Sequence, residues 1–159
     1  MTNCNTTKKN TTNSDGDLVG IANKNSFLQE PFSTWFTKYE TEYVVDIKTI
    51  TKLKPLLKDI KIKAFIGTWC NDSRLETPVL YKVLETANFN MENLEMLTLN
   101  RNKKSPNNQQ EGFNIKCVPT FIFYKNGKEI NRFVEYPVET MEKDFLKIVS
   151  DISYKNPFA

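Results

Sequence analysis

The chain has 159 residues, 39% of them hydrophobic and 12% aromatic, with a formal net charge of +3 from 22 basic and 19 acidic side chains. That supplies the core of one ordinary domain and excludes a wholly disordered chain. No apolar run approaches the ~18 residues of a membrane-crossing helix, and the mixed charges do not mark a nucleic-acid binder.

Residues 1–20 are dominated by Asn, Thr and Lys without a periodic apolar face, and read as a flexible polar tail; a single domain is expected over 21–159. Two readings fit Cys4, which stands just ahead of the polar tract. It is either a tail cysteine without function or the lipid-modified cysteine of a bacterial lipoprotein, followed by its hydrophilic tether. The second carries an expected location, lipid-tethered at the cell envelope and facing the periplasm rather than the cytoplasm. The membrane would then be reached only through that anchor.

Phe32, Trp35, Phe36, Tyr39 and Tyr43 recur at spacings of three and four and predict a helix with an aromatic stripe, read as core packing. "YVVDI" reads as a short strand. Residues 50–60 read as a helix with Pro55 near its start. Its apolar stripe is Ile50, Leu53, Leu56, Leu57 and Ile60, which makes Lys48, Lys52, Lys54, Lys58, Lys61 and Lys63 a solvated face rather than a nucleic-acid or membrane patch. "IKAFIG" is a buried strand, residues 72–88 a helix containing Pro78, "LEMLTLN" a strand, and "NNQQEGF" a short helix or turn. "PTFIFYKNGKEINRFVEY" reads as a hairpin turning at Asn126-Gly127. A final helix runs from about Val138 to Ser153, with Met141, Phe145, Ile148, Val149 and Ile152 on one face. Alternating strands and helices closed by a hairpin predict an α/β fold with a mixed central sheet, helices on both sides and an additional N-terminal helix.

There are no histidines and three cysteines, Cys4, Cys70 and Cys117, without metal-ligand spacing. No metal, cofactor or disulfide framework is therefore expected. "FIGTWCNDSRLETP" delivers Trp69-Cys70 to the carboxyl end of a strand at the mouth of a helix, where reactive sites of open α/β sheets gather. The positive end of a helix favours a thiolate without help from histidine, and the nearby Asp72 carboxylate acts against it. "SRLE" fits a capping box, giving Ser73 and Glu76 a structural explanation, and Asn71 or Asp72 would serve as alternative caps.

"TWCNDS" with Pro78 eight residues after the cysteine, and "VPTFIFYKNGKEI" later, resemble the thioredoxin superfamily over roughly 43–153. "GTWC" with Arg74, Glu76 and Pro78 is also similar to the membrane-anchored thioredoxins of bacterial envelopes. The resemblance implies a thioredoxin-like fold with a cis Val118-Pro119 bond packed against the Cys70 motif. It also implies a groove in which Trp69, Val118, Pro119 and Thr120 meet a substrate's extended chain.

Departures from the family pattern set the functional expectation. Ser73 replaces the resolving cysteine, so the motif is a monothiol C-x-x-S. The buried acid of many thioredoxins falls at Ala64, and Glu135 replaces a glycine common after the last strand. Cys117 stays open between a resolving thiol, a second attachment site and a small apolar residue. The implied function is thiol–disulfide exchange, in which Cys70, with Ser73 and Asp72 beside it, forms a mixed disulfide with a disulfide-bearing or glutathionylated protein. An external thiol donor would release it. The alternative is a binding module without turnover, using the groove around Trp69 and Pro119.

Overall fold

The computed structural model describes residues 10–159. Cys4 and its lipid-anchor reading lie outside them. In chain order the elements are β1 (Thr11–Thr12), β2 (Leu18–Ala22), α1 (Lys24–Phe27), α2 (Ser33–Glu42), α3 (Ile47–Leu53), a 3₁₀ turn (Lys54–Leu57) and β3 (Ile60–Ile66). Then come α4 (Asn71–Thr86), β4 (Leu94–Thr98), β5 (Thr120–Lys125), β6 (Lys128–Val134) and α5 (Met141–Val149). The strands form one mixed sheet in the order β1-β2-β4-β3-β5-β6. β3 runs parallel to β4 and antiparallel to β5, and the β5–β6 hairpin closes the edge.

The period of two along each strand sorts the side chains between two cores. Ile60, Ile62, Ala64 and Ile66 of β3 and Phe121 and Phe123 of β5 join buried residues from all five helices. Phe65 of β3 and Ile122 of β5 face the other way, into a smaller cluster with Leu97, Leu99 and Val118. That second face was expected to carry a helix. It is covered instead by residues 99–119, whose one regular turn is the 3₁₀ segment Pro106–Asn108.

Four local expectations are corrected. First, residues 10–20 fall in the expected tail, yet β2 pairs antiparallel with β4, and Leu18 donates its N–H to Thr68 Oγ1 at 3.1 Å. "LVGIA" is short enough for the polar run before it to mask it. Second, "YVVDI" is not a strand, because its backbone groups are taken by side chains. Lys82 Nζ donates to Tyr43 O at 2.7 Å, Glu142 accepts from the Asp46 N–H at 3.0 Å, and Asp46 caps α3.

Third, the 50–60 helix becomes α3 plus the 3₁₀ turn, since Pro55 has no N–H for an α-helical bond. Leu56 is exposed rather than packed. Fourth, the last helix starts after Thr140, its cap, because Asp144 takes the N–H groups of Val138 and Glu139. It ends at Val149 and leaves Ile152 exposed. The aromatic N-terminal helix forms with Phe32 and Phe36 buried at its start.

Candidate functional site

Strand β3 runs into Gly67-Thr68-Trp69-Cys70, and three hydrogen bonds shape this loop. Cys70 N donates to Gly67 O at 3.0 Å, Arg74 Nε to Thr68 O at 2.6 Å, and Gly67 N to Ser73 Oγ at 3.1 Å. Cys70 is the N-cap residue of α4 and has no side-chain cap bond. The residue thus stands at the N-terminal end of a 16-residue helix, whose first N–H groups have no intrahelical partners. Ser73 is 0% exposed and spends its hydroxyl on the Gly67 N–H. The expected capping box from Ser73 and Glu76 is not formed, because the N-cap is Cys70, three residues earlier, and the helix begins at Asn71.

Trp69 lies folded over Gly67. A Cβ on that glycine would stand 2.5 Å from the indole, and the indole Nε1 donates to Leu99 O at 2.9 Å. The ring is thus locked between the Gly67–Cys70 loop and the end of β4. The loop before β5 meets the cysteine from the other side. The Val118-Pro119 peptide bond is cis, Cys70 Sγ lies 3.5 Å from Val118 O, and Thr120 Oγ1 ties back to Cys117 O at 2.7 Å. Trp69, Cys70, Val118, Pro119 and Thr120 are thus brought into one site. The free backbone of Pro119 is limited, because its carbonyl accepts the Glu135 N–H at 2.8 Å.

Cys117 is a free, half-buried thiol near this junction. Burial first, and then the adjacent Glu135 carboxylate, push its pKa up; Lys103 opposes them, and the charge of Cys70 also raises it. Glu135 itself adopts φ +62°, a left-handed conformation that favours glycine. Asp72 occupies the first turn of α4, half-buried.

Glu76 is the functional candidate that the capping-box reading concealed. It is 6% exposed, and burial, followed by the charges of Asp72 and Asp144, raises its pKa from 4.5 to about 8. Among the described residues it has no ion-pair partner. The signal was present in the sequence. Ser73, Glu76, Thr77, Leu80 and Leu84 follow the spacing of a buried helical face, and all are buried. At neutral pH Glu76 is largely a protonated carboxyl within one turn of Ser73. No group of His, Cys, Asp and Glu suited to a metal occurs among the described residues.

A sequence profile described as thioredoxin matches residues 33–147. Similar curated proteins include the thioredoxin of Ictalurus punctatus, 26% identical over 104 residues, covering 63% of this chain and 94% of that protein. The thioredoxin of Gallus gallus is 22% identical over 98 residues, covering 62% of this chain and 88% of its own. Among solved structures, a Pseudomonas aeruginosa protein of unknown function superposes with TM-score 0.57 at 10% identity, over 82% of this chain and 89% of that one. The first match spans most of the folded chain, from α2 through the Cys70 loop and the hairpin into α5, and on it the chain belongs to the thioredoxin family.

Proposed function

We propose that Cys70 is the nucleophile of a monothiol thiol–disulfide exchange. Family membership supports thiol-based redox chemistry in general terms. The single-cysteine mechanism rests on one observation: Cys70 is free and accessible at the N-cap of α4, while the residue three positions on is a buried serine already bonded to Gly67.

In the first step the Cys70 thiolate attacks one sulfur of a protein disulfide or a glutathionylated cysteine. A Cys70–substrate disulfide forms, the original S–S bond breaks, and the departing thiolate takes a proton from water. In the second step the thiolate of an external donor attacks the mixed disulfide. The bond to Cys70 breaks, Cys70 leaves and takes a proton to become a thiol again, and the sulfur it had held ends in a disulfide with the donor. Ser73 has no sulfur with which to replace that donor. Trp69, half-buried beside Cys70, is the wall against which the substrate's chain would lie, whereas Val118, Pro119 and Thr120 are buried.

Removal of glutathione from a glutathionylated peptide, with excess free glutathione as donor, tests this. Loss of turnover in Cys70→Ala with retention in Cys117→Ser supports the reading, and equal rates in Cys70→Ala and the wild type contradict it.

The second reading, a binding module without turnover, is favoured by the filling of Ser73's place with a structural hydroxyl. It requires a partner held equally well by Cys70→Ser and by the reduced wild type.

A further inference from the structure

The lysine-rich segment after α2 has an outer face that its core-packing stripe does not explain. Ile50, Leu53 and Leu57 are buried, yet Val44 is 88% exposed, Ile47 61% and Leu56 42%. Single surface aliphatics are ordinary, but three within thirteen residues, interleaved with lysines, are not. On α3, helical geometry sets Ile47, Lys48, Thr51 and Lys52 opposite the buried Thr49, Ile50 and Leu53. Over residues 44–58 there are four basic side chains, Lys48, Lys52, Lys54 and Lys58, against one acidic, Asp46.

All four lysines are exposed, and none is in an ion pair among the described residues. Asp46, partly exposed, is engaged as the cap of α3, accepting from Lys48 N at 3.1 Å and from Thr49 Oγ1 at 2.7 Å. The nearest exposed acids in sequence, Glu42 and Asp59, lie outside the segment at either end.

The exposed aliphatics are held out rather than left loose. Glu142, 0% exposed, accepts from the Tyr43 hydroxyl and from the Asp46 N–H, and Lys82 donates to Tyr43 O at 2.7 Å. The backbone on both sides of Val44 is therefore pinned from beneath, and the valine is presented on a fixed knuckle.

We propose that this face docks on an anionic lipid surface, with Val44 and Ile47 entering the headgroup boundary and Lys48 and Lys52 meeting lipid phosphates. Charge complementarity selects an anionic partner. The apolar part selects lipid over nucleic acid, because aliphatic side chains insert into an interface but give bases no aromatic or guanidinium plane for stacking. The contact is independent of the Cys70 chemistry and of any acyl chain.

The test is co-sedimentation of the full chain carrying Cys4→Ser, which removes acylation at that position, with two vesicle types. One is phosphatidylcholine alone and the other is phosphatidylcholine mixed with phosphatidylglycerol. Binding is expected on the anionic vesicles only and weakened by salt. Lys48→Gln with Lys52→Gln should weaken it roughly thirtyfold, and Val44→Ser with Ile47→Ser, both exposed positions, should abolish it with the circular dichroism spectrum unchanged. No sedimentation with anionic vesicles would overturn the proposal. Equal binding to both vesicle types, or binding indifferent to Val44 and Ile47, would do the same. So would retention on single-stranded DNA without binding to vesicles.

Discussion

Cys70 Sγ lies 3.5 Å from the carbonyl oxygen of Val118, so the helix that begins at the cysteine and the loop that opens β5 meet at the sulfur. Ser73, in the first turn of the same helix, accepts the Gly67 N–H with its hydroxyl. A thiol at position 73 would occupy the place of a resolving cysteine at the loss of that bond. Ser73→Cys is expected to gain dithiol disulfide reductase activity, read by insulin reduction, and to lose about 1 kcal/mol of stability in the reduced form. Equal insulin reduction by wild type and variant would show that Ser73 is not what limits the cycle.

Glu76 gives stability a specific pH dependence. Its folded pKa of about 8, raised from 4.5, means that the native state keeps a proton the unfolded chain releases. Its contribution is complete below pH 4.5 and is lost as pH rises to about 8. The slope from this group is up to about 1.4 kcal/mol per pH unit. Glu76→Gln is expected to flatten that slope and to be more stable than wild type above pH 8, measured by urea denaturation across the range. Parallel curves for the two proteins would remove Glu76 as the cause.

Gly67 and Trp69 form a matched pair. A methyl group at position 67 would meet the indole at 2.5 Å, so Gly67→Ala must displace the ring or the loop. The expected result is a shift in tryptophan fluorescence, loss of about 1–3 kcal/mol, and slower exchange at Cys70. An unchanged spectrum and stability would mean that the ring is not held against the glycine.

Glu135 is expected to control the neighbouring thiol. Its carboxylate is second to burial among the causes that raise the Cys117 pKa. Glu135→Gly removes that charge and supplies the residue suited to φ +62°. Alkylation of Cys117 should move to lower pH, and stability should rise by about 1 kcal/mol from relief of the left-handed backbone. Alkylation at unchanged pH would mean that burial alone sets the thiol.

What the sequence disclosed depended on whether one local pattern was sufficient. The Asn126-Gly127 turn, the β-rich runs beside it and the apolar "IKAFIG" strand carried their own signals, and the mixed sheet followed. β2 was hidden because Leu18–Ala22 is a short run whose place depends on pairing with β4, far along the chain, and on Thr68. Tyr43–Ile47 looked like a strand because β-branched residues favour extended chain. Lys82 and Glu142, distant in sequence, claim its backbone instead. At the site, Trp69, Cys70 and Pro119 were visible as a motif. Glu76 was passed over because S-x-x-E has a cheap explanation as a cap, which became untenable only once the helix was seen to start at Asn71.

The most direct measurement is where a substrate becomes covalently attached. The reduced protein, carrying Cys4→Ser and Cys117→Ser, would be mixed with a glutathionylated peptide, quenched in acid, and mapped by intact and tryptic mass. The expected product is a single adduct on the peptide containing Cys70, reversed by free glutathione and absent in Cys70→Ala. A Cys70 that stays unmodified while a small alkylating reagent labels it readily would contradict the exchange mechanism and leave the reading of a binding module without turnover.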